Sequence, residues 1–165
     1  MVSFEKMEKN EFIDNSHSIF LILATNMKDI APTGKAYDED FRCWKQAVGE
    51  GLKHPARDII LIKDVDLLIG FFQYYVNNGT FMMEEIQFNK EWQGQNNLFR
   101  QVYGYLLSTL PDTIIYVEAY AHKSNIKSQR ILKHLGLEII GENKDGTSYH
   151  FRGFYDDLRK WYYKK

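Results

Sequence analysis

YVEAYAHKSNIKSQRILKHLGLE, residues 116–138, decides how this chain folds. Its opening residues alternate in the manner of a strand, within an expected strand over residues 113–121. Residues 125–135 read as a helix that Gly136 can close in a left-handed C′ position. Downstream, residues 137–142 and 147–154 flank the turn Asn143-Lys144-Asp145-Gly146, which predicts a hairpin. Residues 156–163 predict a terminal helix.

Upstream, Leu98, Phe99, Val102, Leu106 and Leu110 recur at helical spacing until Pro111 stops them. Before them lie three expected strands, over residues 58–63, 67–76 and 80–88. Asn77-Asn78-Gly79 joins the last two, because Asn-Gly tolerates the positive φ of a type I′ turn. Two helices precede this meander. Ile19, Phe20, Leu23, Met27 and Ile30 mark the first, expected from Ser16, with Asp14, Asn15 or Ser16 as its cap. Tyr37, Phe41, Trp44, Val48 and Leu52 mark the second, and a short first strand is expected at residues 2–4. The order β-α-α-β-β-β-α-β-α-β-β-α implies an α+β domain, a mixed sheet covered by helices.

The bulk properties set bounds. With 165 residues, residues 1–165 are expected to form a single domain. A chain of this size buries about 70% of its unfolded surface without disulfides or metal. Composition is globular, with 44% hydrophobic, 26% charged and 15% aromatic residues. A net charge of −1 supplies no global field for nucleic acid or anionic lipid, so neither is an expected partner. The lone Cys43, beside Trp44, is expected to be a packed thiol. No secretory leader and no membrane-length apolar run is visible, which makes the cytoplasm the expected compartment and a membrane no partner. The histidines show no metal spacing, so no metal is expected.

Two segments carry chemistry. Residues 88–98, FNKEWQGQNNL, join a strand to a helix, and such an element offers backbone N–H groups and a dipole end to an anion. Most such loops bind nothing. The run from Glu118 to Leu137 is more specific. Asn125, Ser128 three residues on, and Gly136-Leu137 after that resemble the C-terminal acetyl-CoA-binding motif of the GNAT acetyltransferase superfamily, in the pattern of the branch that acetylates ribosomal-protein N-termini. Gly141-Glu142, Asp145-Gly146, Tyr155 and Trp161 are similar to that branch's tail.

The resemblance implies a GNAT-like fold: a central mixed, mostly antiparallel sheet with splayed central strands and helices on both faces. It implies acetyl-CoA as co-substrate in the V between strands near residues 84–88 and 116–121. Pantetheine would bond the backbone of Ile86, Gln87 and Phe88. Pyrophosphate would sit at Gln93, Gly94, Gln95, Asn96, Asn97 and Leu98, with Asn125 on the pantetheine arm. Asn96 and Leu98 stand where the family's loop has small residues; their side chains crowd the pyrophosphate, or Asn96 adopts the positive φ that glycine supplies. Leu132 stands where many relatives carry a tyrosine acid, and the resemblance makes Ser128 the substitute and a cofactor contact.

The function implied is direct acetyl transfer to a primary amine, a protein N-terminus or a small amine. The alternative is a non-catalytic acyl-CoA-binding or protein-interaction module on the same fold. For a base, Glu84 and Glu85 are the strand carboxylates, of which strand alternation lets one face the cleft. His122, just past the strand end, is a third candidate, and Glu118 is expected to be structural. The acceptor is a small-molecule or peptide amine, and the chain a monomer or homodimer.

Overall fold

A computed structural model describes residues 1–164. They form seven strands in one sheet, ordered β1-β2-β3-β4-β5-β7-β6 by chain position. The chain clusters into two compact units, Met1–Tyr74 with Glu85–Leu98, and Tyr75–Glu84 with the chain from Phe99 onward.

In the first unit, β1 (Val2–Lys6) pairs antiparallel with β2 (Arg57–Asp64), from Val2↔Asp64 to Lys6↔Ile60. Helix α1 (Phe12–Met27) begins earlier than the expected Ser16. The difference lies at its entrance, where Glu8 and Glu11 form a capping box around a preceding 3-10 turn. The stripe of α1 packs with Met7, Leu52, Ile59, Leu61 and Phe71 in one apolar cluster. Helix α2 (Tyr37–Gly51) buries no residue completely, yet Phe41 and Trp44 meet Phe20 of α1 at ring-centroid distances of 5.5 and 5.2 Å. Cys43 is exposed, which corrects the expectation of a packed thiol. It sits about 100° around the helix from Trp44, off the stripe that touches α1.

Strands β3 (Leu67–Asn77) and β4 (Thr80–Phe88) follow as the sequence predicts. Gly70 of β3 lets the end of β4 lie close. A Cβ on Gly70 would stand 2.7 Å from the Gln87 carbonyl oxygen and 2.7 Å from the Phe88 ring.

In the second unit, Asn78 and Gly79 take φ values of +50° and +76°, the positive pair that the Asn-Gly turn predicts. Helix α3 (Leu98–Thr109) buries Val102, Tyr103 and Leu106. The Tyr103 hydroxyl donates to the Met83 sulfur at 3.0 Å, and burial pushes its phenol well above the ordinary tyrosine range. Strand β5 (Tyr116–His122) runs parallel to β4 over four residue pairs only, Thr80↔Tyr116 to Met83↔Ala119. Both strands continue past that ladder, β4 to Phe88 and β5 to His122.

Helix α4 (Ile126–His134) ends as expected, with Gly136 at φ +96°. Leu137 N–H bonds the Leu132 carbonyl and Gly136 N–H that of Lys133, a Schellman closure. Strands β6 (Glu138–Glu142) and β7 (Ser148–Phe154) pair as the predicted hairpin, and α5 (Tyr155–Tyr163) follows. Val117, Ala119, Ala121 and Phe151 are buried on one face of β5 and β7. The opposite face carries Tyr116, Glu118 and Tyr120 opposite Phe154, Arg152 and His150.

The close approach at Gly70 has a direct consequence. Gly70→Ala drives a methyl into backbone, and overpacking of this kind costs about 1–3 kcal/mol. A denaturant melt should show the loss, while Gly49→Ala, whose new methyl meets only Phe12 at ordinary distance, should not.

Candidate active site

The end of β4 is held by side chains that the sequence alone does not bring together. Asn26, in the last turn of α1, donates from Nδ2 to the Phe88 carbonyl at 2.8 Å and to Gln87 Oε1 at 3.0 Å. Gln93 Nε2 donates to the same Phe88 carbonyl at 3.1 Å and reaches Asn26 Oδ1 at 3.4 Å. A carbonyl has two lone pairs, so two donors saturate it. Gln87 Nε2 donates in turn to Glu85 Oε2 at 3.0 Å. One amide chain thus links Glu85, Gln87, Asn26 and Gln93. Residues two apart share a strand face, so this bond puts Glu85 and Gln87 together and Glu84 on the other side of β4.

The loop after β4 turns through three left-handed residues, Gly94 at φ +73°, Asn96 at +52° and Asn97 at +55°. Asn96 therefore adopts the positive φ that glycine supplies in similar loops. Asparagine tolerates this because its short amide bonds nearby backbone. Within the expected phosphate segment, the Gln95 N–H donates to Trp92 and the Leu98 N–H to Gln95, at 3.3 and 2.9 Å. Gly94, Gln95, Asn96 and Asn97 are exposed and Leu98 is buried.

The second set of expected residues lies at the end of β5 and the start of α4. Asn125 is the N-cap of α4, its Oδ1 accepting the Ser128 N–H at 3.1 Å. That bond spends the amide oxygen and keeps the NH2 as the group's donor end. His122 Nδ1 accepts the Ser124 N–H at 3.1 Å, and the Ser124 hydroxyl sits 2.5 Å away. A backbone N–H can only donate, so the lone-pair nitrogen of neutral His122 is engaged locally. Gln129, nearly buried on α4, donates from Nε2 to the His122 and Lys123 carbonyls at 3.1 and 2.9 Å, tying helix to strand. Glu118 is buried at 9% exposure and lies between His150 Nε2 and Arg152, whose Nη2 stands 3.3 Å from Oε2.

The sequence held signals for these groups. Asn26 falls on the stripe of Phe12, Ile19 and Ile22, where an apolar residue is expected, and Gln129 lies one turn before Leu132 on the buried side of α4. A polar residue at an apolar phase marks a buried bond to be found. No group of three or more His, Cys, Asp or Glu able to hold a metal occurs among the described residues.

The fold is that of the GNAT acetyltransferases. The chain superposes on PaiA N-acetyltransferase from Thermoplasma acidophilum, solved in complex with coenzyme A, with TM-score 0.71 at 12% identity over 94% of this chain and 99% of that one. It superposes on ribosomal-protein-S5-alanine acetyltransferase from Vibrio fischeri with TM-score 0.64 at 16% identity, over 95% and 94%. Aminoglycoside acetyltransferase AAC(6')-Ib, also in complex with coenzyme A, gives 0.64 at 13%, over 97% and 98%. No protein-family model matches the chain, and no curated protein matches it in sequence.

Two substitutions separate structure from binding here. Asn26→Leu keeps the size of the side chain and removes both donors from the end of β4. It should cost about 1–3 kcal/mol in a chemical melt, the range for stranding a buried partner, and should raise amide exchange at residues 93–98. Asn125→Asp keeps the α4 cap and loses the NH2 donor, whereas Asn125→Ala loses both and should cost about 1 kcal/mol. If Asn125 binds acetyl-CoA, calorimetry should show both variants weakened alike while only the alanine melts early.

Proposed function

We propose that residues 1–165 act as one acetyltransferase domain that moves an acetyl group from acetyl-CoA to a primary amine. The observation that carries this is the short parallel ladder between β4 and β5, which ends at Met83↔Ala119 while both strands run on. The loop with left-handed Gly94, Asn96 and Asn97 supports it, as do structures of this fold whose printed names describe acetyltransferases and coenzyme A complexes.

In this reading pantetheine lies along Ile86, Gln87 and Phe88 in the manner of a further strand. Because two side-chain donors already saturate the Phe88 carbonyl, the thioester arm takes its acceptor bonds from neighbouring carbonyls. The pyrophosphate takes amides among Gln93, Gly94, Gln95, Asn96, Asn97 and Leu98, and the Asn125 NH2 meets the pantetheine arm. Ser128 is the hydroxyl assigned to the leaving thiolate, since Leu132 stands where many relatives of the fold carry a tyrosine acid. The acceptor enters as an ammonium. Glu84, on the opposite side of β4 from the Gln87-bound Glu85, receives that charge. His122 keeps its lone pair on Ser124 and is left out of the proton transfer. The acceptor class remains a protein N-terminus or a small amine, the two kinds named for structures of this fold.

The test is calorimetry with acetyl-CoA, followed by free-thiol release in the presence of spermidine, kanamycin and a peptide with a free N-terminal alanine. Binding followed by turnover supports acetyl transfer, and binding without turnover on any amine gives the acyl-CoA sensor instead. Failure to bind ends both. Ser128→Ala should lower kcat by about 10-fold or more with little change in acetyl-CoA affinity, as for loss of a proton donor.

A further inference from the structure

The strand register sets one row of side chains at the point where β4 leaves β5. Tyr120 is the first β5 residue past the ladder, and its partner on β7 is His150. The Tyr120 ring stacks on the His150 ring, with centroids 4.4 Å apart and planes 16° from parallel. His150 Nε2 meets Glu118 Oε1, from the same face of β5. Glu118 is itself held by Arg152, whose guanidinium lies 4.2 Å from the centroid of Tyr116. Across β6 the register sets Gly141 opposite His150 and Glu138 opposite Arg152.

The bare alternative is a cross-strand ion pair that stabilises the sheet. Two features exceed it. Glu118 is almost fully buried, whereas Tyr120 beside it is 46% exposed, so the pair lies under a face that a reactant can reach. The carboxylate also takes Nε2, which fixes that nitrogen as the N–H and leaves Nδ1 as the basic one. A base oriented by a third group is the arrangement that proton-transfer sites use.

Building on the acetyl-transfer reading, we propose that His150 is the proton acceptor of the reaction and Glu118 its positioning residue. Nδ1 takes one proton from the acceptor ammonium. The freed nitrogen lone pair forms the N–C bond as the C–S bond breaks, Ser128 gives its hydroxyl proton to the departing thiolate, and the second nitrogen proton restores the Ser128 hydroxyl. Glu118 stabilises the imidazolium so formed, and Tyr120 fixes the ring plane.

The experiment compares wild type, His150→Gln, His150→Ala and Glu118→Gln in acetyl-CoA calorimetry, thermal melts and thiol release with the three amines named above. His150→Gln keeps an amide for Glu118 but no basic nitrogen. It should bind acetyl-CoA as wild type does and lose about 100-fold or more in kcat. Added imidazole should restore turnover in His150→Ala, which a sheet-stabilising role would not allow. Glu118→Gln should lower kcat with the acetyl-CoA KM unchanged. If wild type turns over and His150→Gln stays within about 3-fold of it, His150 is not the base and acetyl transfer stands. Imidazole leaving His150→Ala inert while His150→Gln is active overturns the role equally. If wild type releases no thiol with any of the amines, the acetyl-transfer reading falls and this assignment with it.

Discussion

A parallel pair of strands that stops after four residue pairs leaves backbone groups without ladder partners, and each of those groups needs another bond. The chain meets that need with side-chain amides. At the end of β4 the Phe88 carbonyl takes Asn26 and Gln93. At the end of β5 the His122 and Lys123 carbonyls take Gln129. Asparagine and glutamine suit the task because each donates and accepts at once without charge. A lysine or glutamate in those positions would bring a desolvation cost that an amide avoids. These three side chains answer for the Phe88, His122 and Lys123 carbonyls, past the last ladder pair.

Parallel pairing also dictates what stands between the strands. Two parallel neighbours need a crossover, and here α3 supplies it. Its buried Tyr103 reaches back to Met83, the last β4 residue in the ladder, so the crossover is fastened where the pairing ends. Antiparallel β7 then seals the far edge of β5 over its whole length, from Tyr116↔Phe154 to His122↔Ser148. β5 is thus fixed along one edge and paired along only half of the other.

The order of elements was legible because each has a strong local signature. Asn78-Gly79 announced its turn, Gly136 its helix stop, and the stripe of Phe41, Trp44 and Val48 its helix. Boundaries differ where the helix start has no side-chain mark: α1 starts at Phe12, directly after the 3-10 turn Lys9–Glu11, and its N-cap Glu11 makes no side-chain cap bond. The exposure of Cys43 has no local signature either. Adjacent residues on a helix face different directions, so a neighbour's aromatic character says little about a thiol. Around the candidate site, residues close in the chain were visible and long-range contacts were not. Asn125 and Ser128 sit three apart and carry a visible motif, whereas Asn26 and Phe88 are 62 residues apart and meet only in the fold.

The buried carboxylate of Glu118 shows where position matters more than residue type. An unpaired charge at 9% exposure would cost several kcal/mol, so Glu118 requires its partners on β7. Register supplies them: Arg152 lies directly opposite, and His150 two residues along on the same face. A shift of one residue would turn both to the other face and place Phe151 against the carboxylate. The bulge between Ile139 and Gly141 falls on β6, beyond β7, so this strand irregularity leaves the β5–β7 register intact. Pairing on that side is therefore constrained by charge as well as by the apolar face of Val117, Ala119 and Phe151. The rigidity that results is what an oriented imidazole needs, because a histidine held by a carboxylate presents one defined nitrogen to whatever reaches the exposed Tyr120 ring.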